Sequence, residues 1–295
     1  MQCNKMSDGY CIDIMLTELC NVKCTHCYMR ADSSTNKITI TKTQLDALID
    51  NLPPNPKRII FTGGEVYMKK DLLYYALSQV QKKFINNKEL SIRIETNGMF
   101  FYQSPQTIIE EAKRLISYGV DVIRLSDDEF HAAGGVDLEK VRLIGKVLQE
   151  GGLSIRASYL IQNKALPIGR GEGLEEEKRE SKKCMNYPST IYKPYLFTDI
   201  GGNLYVCSWK CVPPIGNIIL EEWKAICKRL YDPIQTALLC GNIQEAVKLY
   251  ISQFNSSFRY EEALDIIYRF GECIACNKIF NSPSGLSTGK KQINY

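Results

Sequence analysis

The segment CNVKCTHCYM, residues 20–29, places three cysteines within eight positions and follows them with an aromatic residue. Thiolates are soft ligands, which suit zinc, copper(I) or iron–sulfur clusters. A structural zinc site uses four tetrahedral ligands and commonly pairs two CxxC motifs. The spacing C-x3-C-x2-C instead lets one short loop contact one face of a cubane cluster. Three irons are then bound by protein, and one is left open to an exogenous ligand.

His26 is the alternative candidate for the fourth ligand of this metal. Because it lies between Cys24 and Cys27 in the sequence, its ring is expected to point away from the metal that these thiols bind. The sequence therefore predicts one open and reactive iron.

The composition is that of a globular protein: 44% hydrophobic and 24% charged residues in 295 positions can form a sizeable core. No apolar run approaches the roughly 20 residues that a membrane span needs, and residues 1–10 lack a secretory apolar region. A cytoplasmic protein without membrane partners is therefore predicted. A net charge of +4 is too small to indicate nucleic acid as a partner. Twelve cysteines in a reducing compartment indicate metal or redox chemistry rather than disulfides.

Strand and helix patterns alternate through the first half of the chain. Five strands and four helices in alternation argue for right-handed βαβ units and a parallel sheet, an α/β fold. In a curled parallel sheet, the carboxyl ends of the strands carry the chemistry, so the polar and glycine motifs there are expected on one rim. The predicted strands are residues 11–17, 58–64, 89–98, 120–128 and 153–161, and the predicted helices are residues 41–52, 70–84, 104–119 and 137–152.

The pattern changes after residue 165. The segment ALPIGRGEG, residues 165–173, is a proline- and glycine-rich break, and the mixed-charge run 174–183 is predicted to be a solvated linker or helix face. Residues 195–209 are predicted to form a β-hairpin, and residues 281–295 a flexible tail. Further helices are predicted at residues 221–232, 233–253 and 259–270.

Residues 20–28, CNVKCTHCY, resemble the cysteine signature of the radical S-adenosylmethionine (SAM) superfamily. The motifs that follow come in the order that this family uses. TGGE, residues 62–65, resembles the GGE motif that grips the methionine amino group of SAM. ETNG, residues 95–98, resembles the strand-end segment that lines the ribose and the substrate.

Three weaker motifs extend this resemblance over residues 11–170. RLSDDEFH, residues 124–131, resembles the segment at the fourth strand that contains a serine and acidic residues. SIRAS, residues 154–158, places Arg156 at a position where an arginine in this family often contacts the methionine carboxylate of SAM. PIGRG, residues 167–171, resembles the apolar and glycine segment beside adenine. Each motif alone could also be an ordinary βα turn.

The resemblance implies a partial (β/α)6 TIM-like barrel over residues 1–170 and a [4Fe–4S] cluster whose open iron binds SAM. It further implies reductive cleavage of SAM to a 5′-deoxyadenosyl radical, with a flavodoxin or ferredoxin as the reductant. The implied cluster ligands are Cys20, Cys24 and Cys27, hereafter the triplet. The implied cofactor-binding residues are Tyr28 (alternatively an ordinary core aromatic), Gly63, Gly64, Glu65, Thr96, Asn97, Ser126, Arg156 and Ile168.

Residues 171–280 resemble the shortened "twitch" form of the SPASM extension, in which a β-hairpin and a helix hold one auxiliary [4Fe–4S] cluster. Structural zinc is the alternative occupant of such a four-thiolate site. Cys211 lies four residues beyond Cys207 and is an alternative for one of the ligands. The implied auxiliary ligands are Cys184, Cys207, Cys273 and Cys276.

Cys240 ends a predicted helix before a glycine and is the candidate hydrogen donor to a substrate radical, since a thiol S–H bond is weak. The alternative for this residue, and for Cys211, is a thiol without a chemical role. Cys11 and Cys227 are expected in the core, because free cysteine is among the most buried residue types.

Two substrate classes remain open at this stage. The first is a ribosomally synthesised peptide that undergoes epimerisation, crosslinking or another C–H modification. Only 19 residues precede Cys20, so no fused leader-binding domain is expected there. The second is a sugar, aminocyclitol or similar small molecule, for which Asp127, Asp128 and Glu129 are either pocket acids or caps of the next helix. A third hypothesis, an iron–sulfur electron carrier or a zinc-structured binding protein, is disfavoured by the GGE motif and the open triplet.

Overall fold

One sheet of eight strands runs through the parts of the chain that the computed structural model describes, residues 9–101, 104–175, 194–254 and 258–281. The first half of the chain supplies Tyr10–Met15 (β1), Pro56–Thr62 (β2), Ser91–Thr96 (β3), Val120–Ser126 (β4) and Arg156–Leu160 (β5). The second half supplies Tyr195–Thr198 (β6), Asn203–Tyr205 (β7) and Gly216–Asn217 (β8). The spatial order is β5-β4-β3-β2-β1-β6-β7-β8. The strands from β5 to β6 are parallel, and the last two pairs are antiparallel.

The predicted helices between the first five strands are present, and their caps follow from the sequence. Thr41 and Gln44 form a capping box at the start of α1, and Ser104 caps α3 in front of Pro105. None of the described helices is long and apolar enough to cross a membrane. The helices are Lys42–Asn51 (α1), Lys70–Lys83 (α2), Pro105–Ser117 (α3), Glu129–Ala133 (α4), Leu138–Glu150 (α5), Trp223–Leu230 (α6), Pro233–Leu239 (α7), Ile243–Phe254 (α8), Tyr260–Phe270 (α9) and Glu272–Phe280 (α10).

The two faces of the sheet have opposite character. On β3, Ile92 and Ile94 belong to the hydrophobic core, whereas Arg93 and Glu95 alternate with them and line a cavity. Parallel strands covered on both faces are usually apolar throughout. Charged residues at every second position therefore indicate that the inner face of this curled sheet surrounds a polar space.

The predicted hairpin does not form a separate annex. Its first strand, β6, pairs in parallel with β1, placing Tyr195 opposite Cys11 and Thr198 opposite Ile14. The predicted boundary at residue 170 therefore does not divide the sheet, since the sixth parallel strand comes from beyond it. Without β6 the inner edge of β1 would present unpaired backbone groups.

Two helical features of the second half differ from the sequence prediction. The helix predicted over 233–253 is two helices, because Gly241 adopts a φ of 70° that ends the first of them. Helix α10 was not predicted, and it follows directly after Gly271, which has a φ of 86°. This helix carries Cys273 and Cys276.

The structure describes neither Cys3 nor Cys184, and the predicted tail, apart from Asn281, also lies outside the described residues.

Candidate active site

A cavity of about 480 Å³ lies at the carboxyl ends of the parallel strands and collects most of the predicted site residues. This volume is in the range of small-ligand sites, which span about 300–1,000 Å³. The predicted residues that line it are Cys20, Cys24, Cys27, Tyr28, Gly63, Gly64, Thr96, Asn97 and Ser126. The expected clustering of strand-end motifs on one rim is therefore present in the structure.

The triplet occupies the long connection between β1 and α1. Cys20 and Cys24 are buried, with 7% and 6% of their surface exposed, and Cys27 is half-buried. Burial raises the pKa of Cys20 to about 11 and that of Cys24 to about 12. Buried thiols of this kind become thiolates at neutral pH when a metal replaces their protons. The donor set thus fits a thiolate-bound metal cluster.

Two polar side chains hold the cysteine loop from outside it. The Asn97 Nδ2 donates to Asn21 Oδ1 at 2.8 Å and lies 3.8 Å from Cys20 Sγ. The Arg170 guanidinium donates to the carbonyl oxygens of Cys24 and Ala31, each at 2.7 Å. Sequence reasoning assigned Asn97 to the cofactor and did not single out Arg170. Both residues position the metal-binding loop.

Gly134, in the turn after α4, packs directly on the second cysteine. A Cβ at this position would lie 2.6 Å from the Cα and backbone nitrogen of Cys24 and 2.9 Å from its sulfur. The backbone N–H of Lys23 donates to the Gly134 carbonyl at 3.1 Å. Only glycine therefore permits this approach. Sequence reasoning missed this residue because it belongs to no recognised motif.

The two glycines of the GGE motif serve a backbone contact. A Cβ at Gly64 would lie 2.1 Å from the carbonyl oxygen of Leu19, and one at Gly63 would lie 2.5 Å from that of Thr17. The N–H of Gly64 donates to Thr17 and that of Glu65 to Leu19, at 2.6 and 2.7 Å. The family resemblance implied that these glycines contact the cofactor. In the structure, they dock the motif against the segment that leads into the triplet.

Glu65 is fully buried and does not line the cavity, which differs from its predicted contact with SAM. Its carboxylate accepts hydrogen bonds from the N–H of Tyr67, the hydroxyl of Thr96 and the N–H of Asn97, at 3.0, 2.8 and 2.7 Å. Burial raises the pKa of Glu65 to about 7, while the hydrogen bonds counteract this shift. In the structure, Glu65 positions the end of β3.

The acidic residues after β4 are structural, as the helix-cap alternative predicts. Asp127 pairs with Arg142, and Asp128 caps α4 by accepting from the N–H of His131 at 3.0 Å. Glu129 is exposed, and none of the three acids lines the cavity. The proposal that they bind a substrate is therefore not supported, because their carboxylates are already used or face outward.

The His26 ring packs against two neighbouring rings. Its centroid lies 4.6 Å from that of His131 and 5.0 Å from that of Phe130. Burial lowers the pKa of His26 to about 4. The imidazole lines the same cavity as the triplet.

Thiolates of the triplet are chemically suited to an iron–sulfur cluster and to zinc. Within the described ranges, one group of three ligand atoms lies within 4.8 Å of one another, those of His26, Asp128 and His131.

Four cysteines of the second half form another buried group, hereafter the C-terminal set: Cys207, Cys211, Cys273 and Cys276. Hydrogen bonds connect the thiol of Cys211 with those of Cys207 and Cys273, and Cys276 interacts with the same two residues. Here Cys211 stands within the group, whereas the predicted ligand Cys184 lies outside the described residues.

An aromatic pair connects the C-terminal set with the triplet. The ring of Tyr28 meets that of Trp209 edge-on, with centroids 4.9 Å apart. Trp209 lies between Cys207 and Cys211 in the sequence and lines the cavity together with Ser208. The loop of the C-terminal set is therefore part of the cavity wall.

Three predicted site residues are not at the cavity. Arg156 is exposed at the amino end of β5, Ile168 is buried without lining the cavity, and Cys240 is exposed at the end of α7. The strand ends instead bring other residues there. Sequence reasoning missed apolar residues after β5, namely Leu160, Ile161 and Leu166, and charged residues of the inner strand face, namely Asp13, Arg58, Arg93, Glu95 and Arg124.

Comparison with known proteins gives a family match for the first half of the chain. Residues 14–150 match the model of the radical SAM superfamily. The chain carries a radical SAM domain. The chain is 28% identical over 138 residues to Fe-coproporphyrin III synthase of Methanosarcina barkeri, a match that covers 46% of this chain and 33% of that protein. The matched region thus spans about a third of this relative.

Two solved structures share the α/β fold of this chain. The crystal structure of BtrN in complex with AdoMet and 2-DOIA has a TM-score of 0.54 at 18% identity, covering 80% of this chain and 89% of that one. Native anSMEcpe with bound AdoMet and Kp18Cys peptide has a TM-score of 0.52 at 13% identity, covering 80% and 83%. The α/β architecture is therefore the TIM-like barrel of radical SAM enzymes. It supports a [4Fe–4S] cluster and SAM as cofactors.

Replacing Gly134 by alanine is expected to displace Cys24, because the new methyl group overlaps its backbone. Anaerobically reconstituted Gly134→Ala protein should lose about half of its iron if the second cluster remains. Cleavage of SAM should fall at least about a hundredfold. Iron analysis and quantification of 5′-deoxyadenosine measure the two effects.

Gly173→Ala is the matched control for this substitution, since nothing lies within 4 Å of a Cβ at Gly173. This variant should retain the iron and activity of the wild type. Full iron content and activity in Gly134→Ala would show that the loop does not need this contact.

Asp13 generates a prediction on pH. Its carboxyl accepts from the Tyr195 hydroxyl at 2.8 Å, and burial together with Glu95 raises its pKa from 3.8 to about 8. Between these values, the native protein binds a proton that the unfolded chain has lost, so the free energy of unfolding falls as pH rises. As pH rises from about 6 to about 8.5, the free energy of unfolding of Asp13→Asn should therefore increase relative to that of the wild type by on the order of 2 kcal/mol.

Urea unfolding of both proteins under anaerobic conditions at these two pH values measures the difference. A stability difference between wild type and Asp13→Asn that does not change with pH would contradict the raised pKa of Asp13.

Proposed function

We propose that this chain binds a [4Fe–4S] cluster through Cys20, Cys24 and Cys27 and uses it to cleave SAM reductively. The observation that carries the proposal is the convergence of three thiols from one loop, two of them buried, on a single cavity with the GGE motif beside them. The His26 ring packs against that of His131, and SAM is proposed to supply the remaining ligands through its amino and carboxylate groups.

When bound, the reduced cluster and SAM supply a 5′-deoxyadenosyl radical that abstracts a hydrogen atom from a substrate carbon. The chain itself positions and shields this chemistry. The Asn97 amide lies beside the Cys20 sulfur, where a hydrogen bond tunes the reduction potential of a cluster. Arg170 and Gly134 fix the loop, and Leu160 and Leu166 provide an apolar wall suited to a nucleobase.

We propose a second [4Fe–4S] cluster on Cys207, Cys211, Cys273 and Cys276. Four protein thiolates would close this cluster to exogenous ligands and suit it to electron transfer. The Tyr28–Trp209 contact connects the loop of the triplet with the loop of the C-terminal set. A flavodoxin or ferredoxin is the proposed electron donor, and the reducing cytoplasm is the proposed location.

The proposed substrate is a ribosomally synthesised peptide, modified at a carbon–hydrogen bond by epimerisation, crosslinking or a related change. A sugar, aminocyclitol or similar small molecule is the second candidate. The charged inner face of the cavity favours the latter, because Asp13, Glu95 and three arginines can contact a compact polar molecule. The two structural neighbours carry a small molecule, 2-DOIA, in one case and a peptide in the other, so they support both.

Anaerobic reconstitution with iron and sulfide, followed by dithionite and SAM, tests the proposed reaction. The wild type should form 5′-deoxyadenosine and methionine, and Cys24→Ala should lose this activity at least about a hundredfold because its cluster lacks a ligand. Liquid chromatography with mass detection measures both products.

Cys240→Ala is the control, since this exposed thiol lies outside the cavity wall. It should cleave SAM at the wild-type rate. Wild-type protein with a full cluster content and no SAM cleavage would refute the proposed function.

Iron content tests the composition of the second cluster. Two cubanes of four irons give about eight irons per chain in the wild type. Cys211→Ala should retain about four, while the electron paramagnetic resonance signal of the SAM-bound cluster remains. Cys184→Ala should retain about eight.

The reverse result, with iron lost in Cys184→Ala and kept in Cys211→Ala, would support the ligand set implied by family resemblance instead. Stoichiometric zinc in the anaerobically purified protein would refute the second cluster.

A further inference from the structure

The inner face of the barrel carries an unbalanced group of arginines below the cofactor region. Arg58, Arg93 and Arg124 project from the neighbouring strands β2, β3 and β4 and line the same cavity. The carboxyl groups among the described lining residues are those of Asp13 and Glu95. This part of the cavity, formed by these five residues, is hereafter the charged floor.

The carboxylate of Glu95 is already used. It pairs with Arg124 across the strands, with Nη1 and Oε1 3.2 Å apart, and accepts from the Thr62 hydroxyl at 3.2 Å. Glu95 and Arg124 stand opposite each other in the β3–β4 register, so their pairing follows directly from the strand alignment. This pair is electrically neutral, and the ion pair of Glu95 is with Arg124 rather than with Arg93.

Asp13 does not supply the missing charge. Its carboxyl accepts a hydrogen bond from Tyr195, and burial together with Glu95 raises its pKa to about 8. At neutral pH this group is therefore mostly protonated. It then adds a hydrogen-bond donor to the floor and no negative charge.

Arg93 is the residue that lacks an anion. Its Nε is buried without a hydrogen-bond partner, and no hydrogen bond or ion pair joins its guanidinium to any residue in the described ranges. Burial lowers the pKa of Arg93, and the adjacent charges of Arg58 and Arg124 lower it further. The charge of Glu95 acts in the opposite direction. A half-buried guanidinium beside two others favours an anion that can pair with it directly.

The position of Arg93 separates it from the SAM region. Arg93 precedes Asn97 by four residues on an extended strand, which places its Cα about 13 Å further from the triplet. Gly63, Gly64 and Ser126, the predicted SAM contacts, lie at the strand ends instead. The floor therefore lies on the side of the cavity that is left for the substrate.

We propose that the charged floor binds a carboxylate group of the substrate through Arg93. Guanidinium groups bind carboxylates through two parallel hydrogen bonds, which fixes orientation as well as position. A single carboxylate suits the floor better than a doubly charged phosphate, because Glu95 and the Asp13 oxygens lie beside it. This inference rests on the proposed function for the identity of the site, and it names the chemistry of its substrate.

Such a carboxylate could belong to a small carboxylic acid or to an acidic residue of a peptide. Equilibrium dialysis with labelled ligands distinguishes these sources on the reconstituted protein, with SAM present and no reductant. The first arm compares butyrate, which carries one carboxylate, with its neutral analogue butyramide. The second compares acetyl-Gly-Glu-Gly-amide with acetyl-Gly-Gln-Gly-amide.

The wild type should prefer the charged member of at least one pair about tenfold or more. Arg93→Gln should abolish that preference, and Arg93→Lys should restore part of it. Arg269→Gln removes an exposed positive charge on α9 and should leave the preference unchanged. Iron content and SAM affinity should match the wild type in both Arg93 variants.

Equal binding of charged and neutral ligands in both arms would overturn the proposal. So would a loss of SAM affinity in Arg93→Gln as large as its loss of carboxylate binding, because the arginine would then serve the cofactor. If Arg93→Gln does not fold, Arg93→Lys and the preference of the wild type decide the question. Carboxylate binding without SAM cleavage would refute the proposed function and leave the anion site standing.

Discussion

The close contact of backbones around residues 16–41 is the constraint on which the site depends. This connection between β1 and α1 contains neither a helix nor a long strand, yet it carries all three thiols of the triplet. Its shape is imposed by neighbours that lack side-chain bulk: Gly64 on Leu19 and Gly134 on Cys24. A loop that must arrange three thiols for a rigid inorganic group needs such external support, because loops are intrinsically mobile.

Glu65 extends this support to the next strand. Its buried carboxylate accepts from two residues at the end of β3, and one of these, Asn97, reaches the first cysteine of the triplet. A motif that binds cofactor in the family thus also joins two strand ends and the metal loop in one hydrogen-bonded unit. Buried polar networks of this kind rigidify a site when every member is satisfied. Glu65 is satisfied by three donors.

Much of the fold was predictable from the sequence. The spacing of apolar residues and the glycine, proline and capping residues at the ends of helices and strands are local signals. The alternation of strands and helices was confirmed, and α1 and α3 begin after residues typical of helix N-caps, Thr41 and Ser104. The parallel pairing of β6 with β1 was not predicted, since a strand of four residues does not specify its partner. Helix α10 was missed because Gly271, next to it, is typical of a loop.

Site residues that belong to a recognisable motif could be predicted from the sequence. Site residues that act only through packing contacts could not. The triplet and the glycines of the GGE motif were identified, but the reason for those glycines emerged only from their contacts. Gly134 is distant in sequence from the cysteine that it touches. Arg93 and Glu95 alternate with isoleucines in the sequence. The polar inner face was nevertheless not predicted, because a parallel strand is ordinarily expected to be apolar on both faces.

The parallel pairing of β6 with β1 has a consequence for how the protein can be made and divided. A polypeptide that stops near residue 170 would contain every thiol of the triplet and every strand from β1 to β5. It would nevertheless leave the central strand β1 as an open edge, with Asp13 lacking the phenol of Tyr195. Exposed edges recruit other chains. The minimal autonomous piece of this molecule therefore extends at least through Thr198, and during synthesis the barrel wall closes only after the ribosome has passed that point.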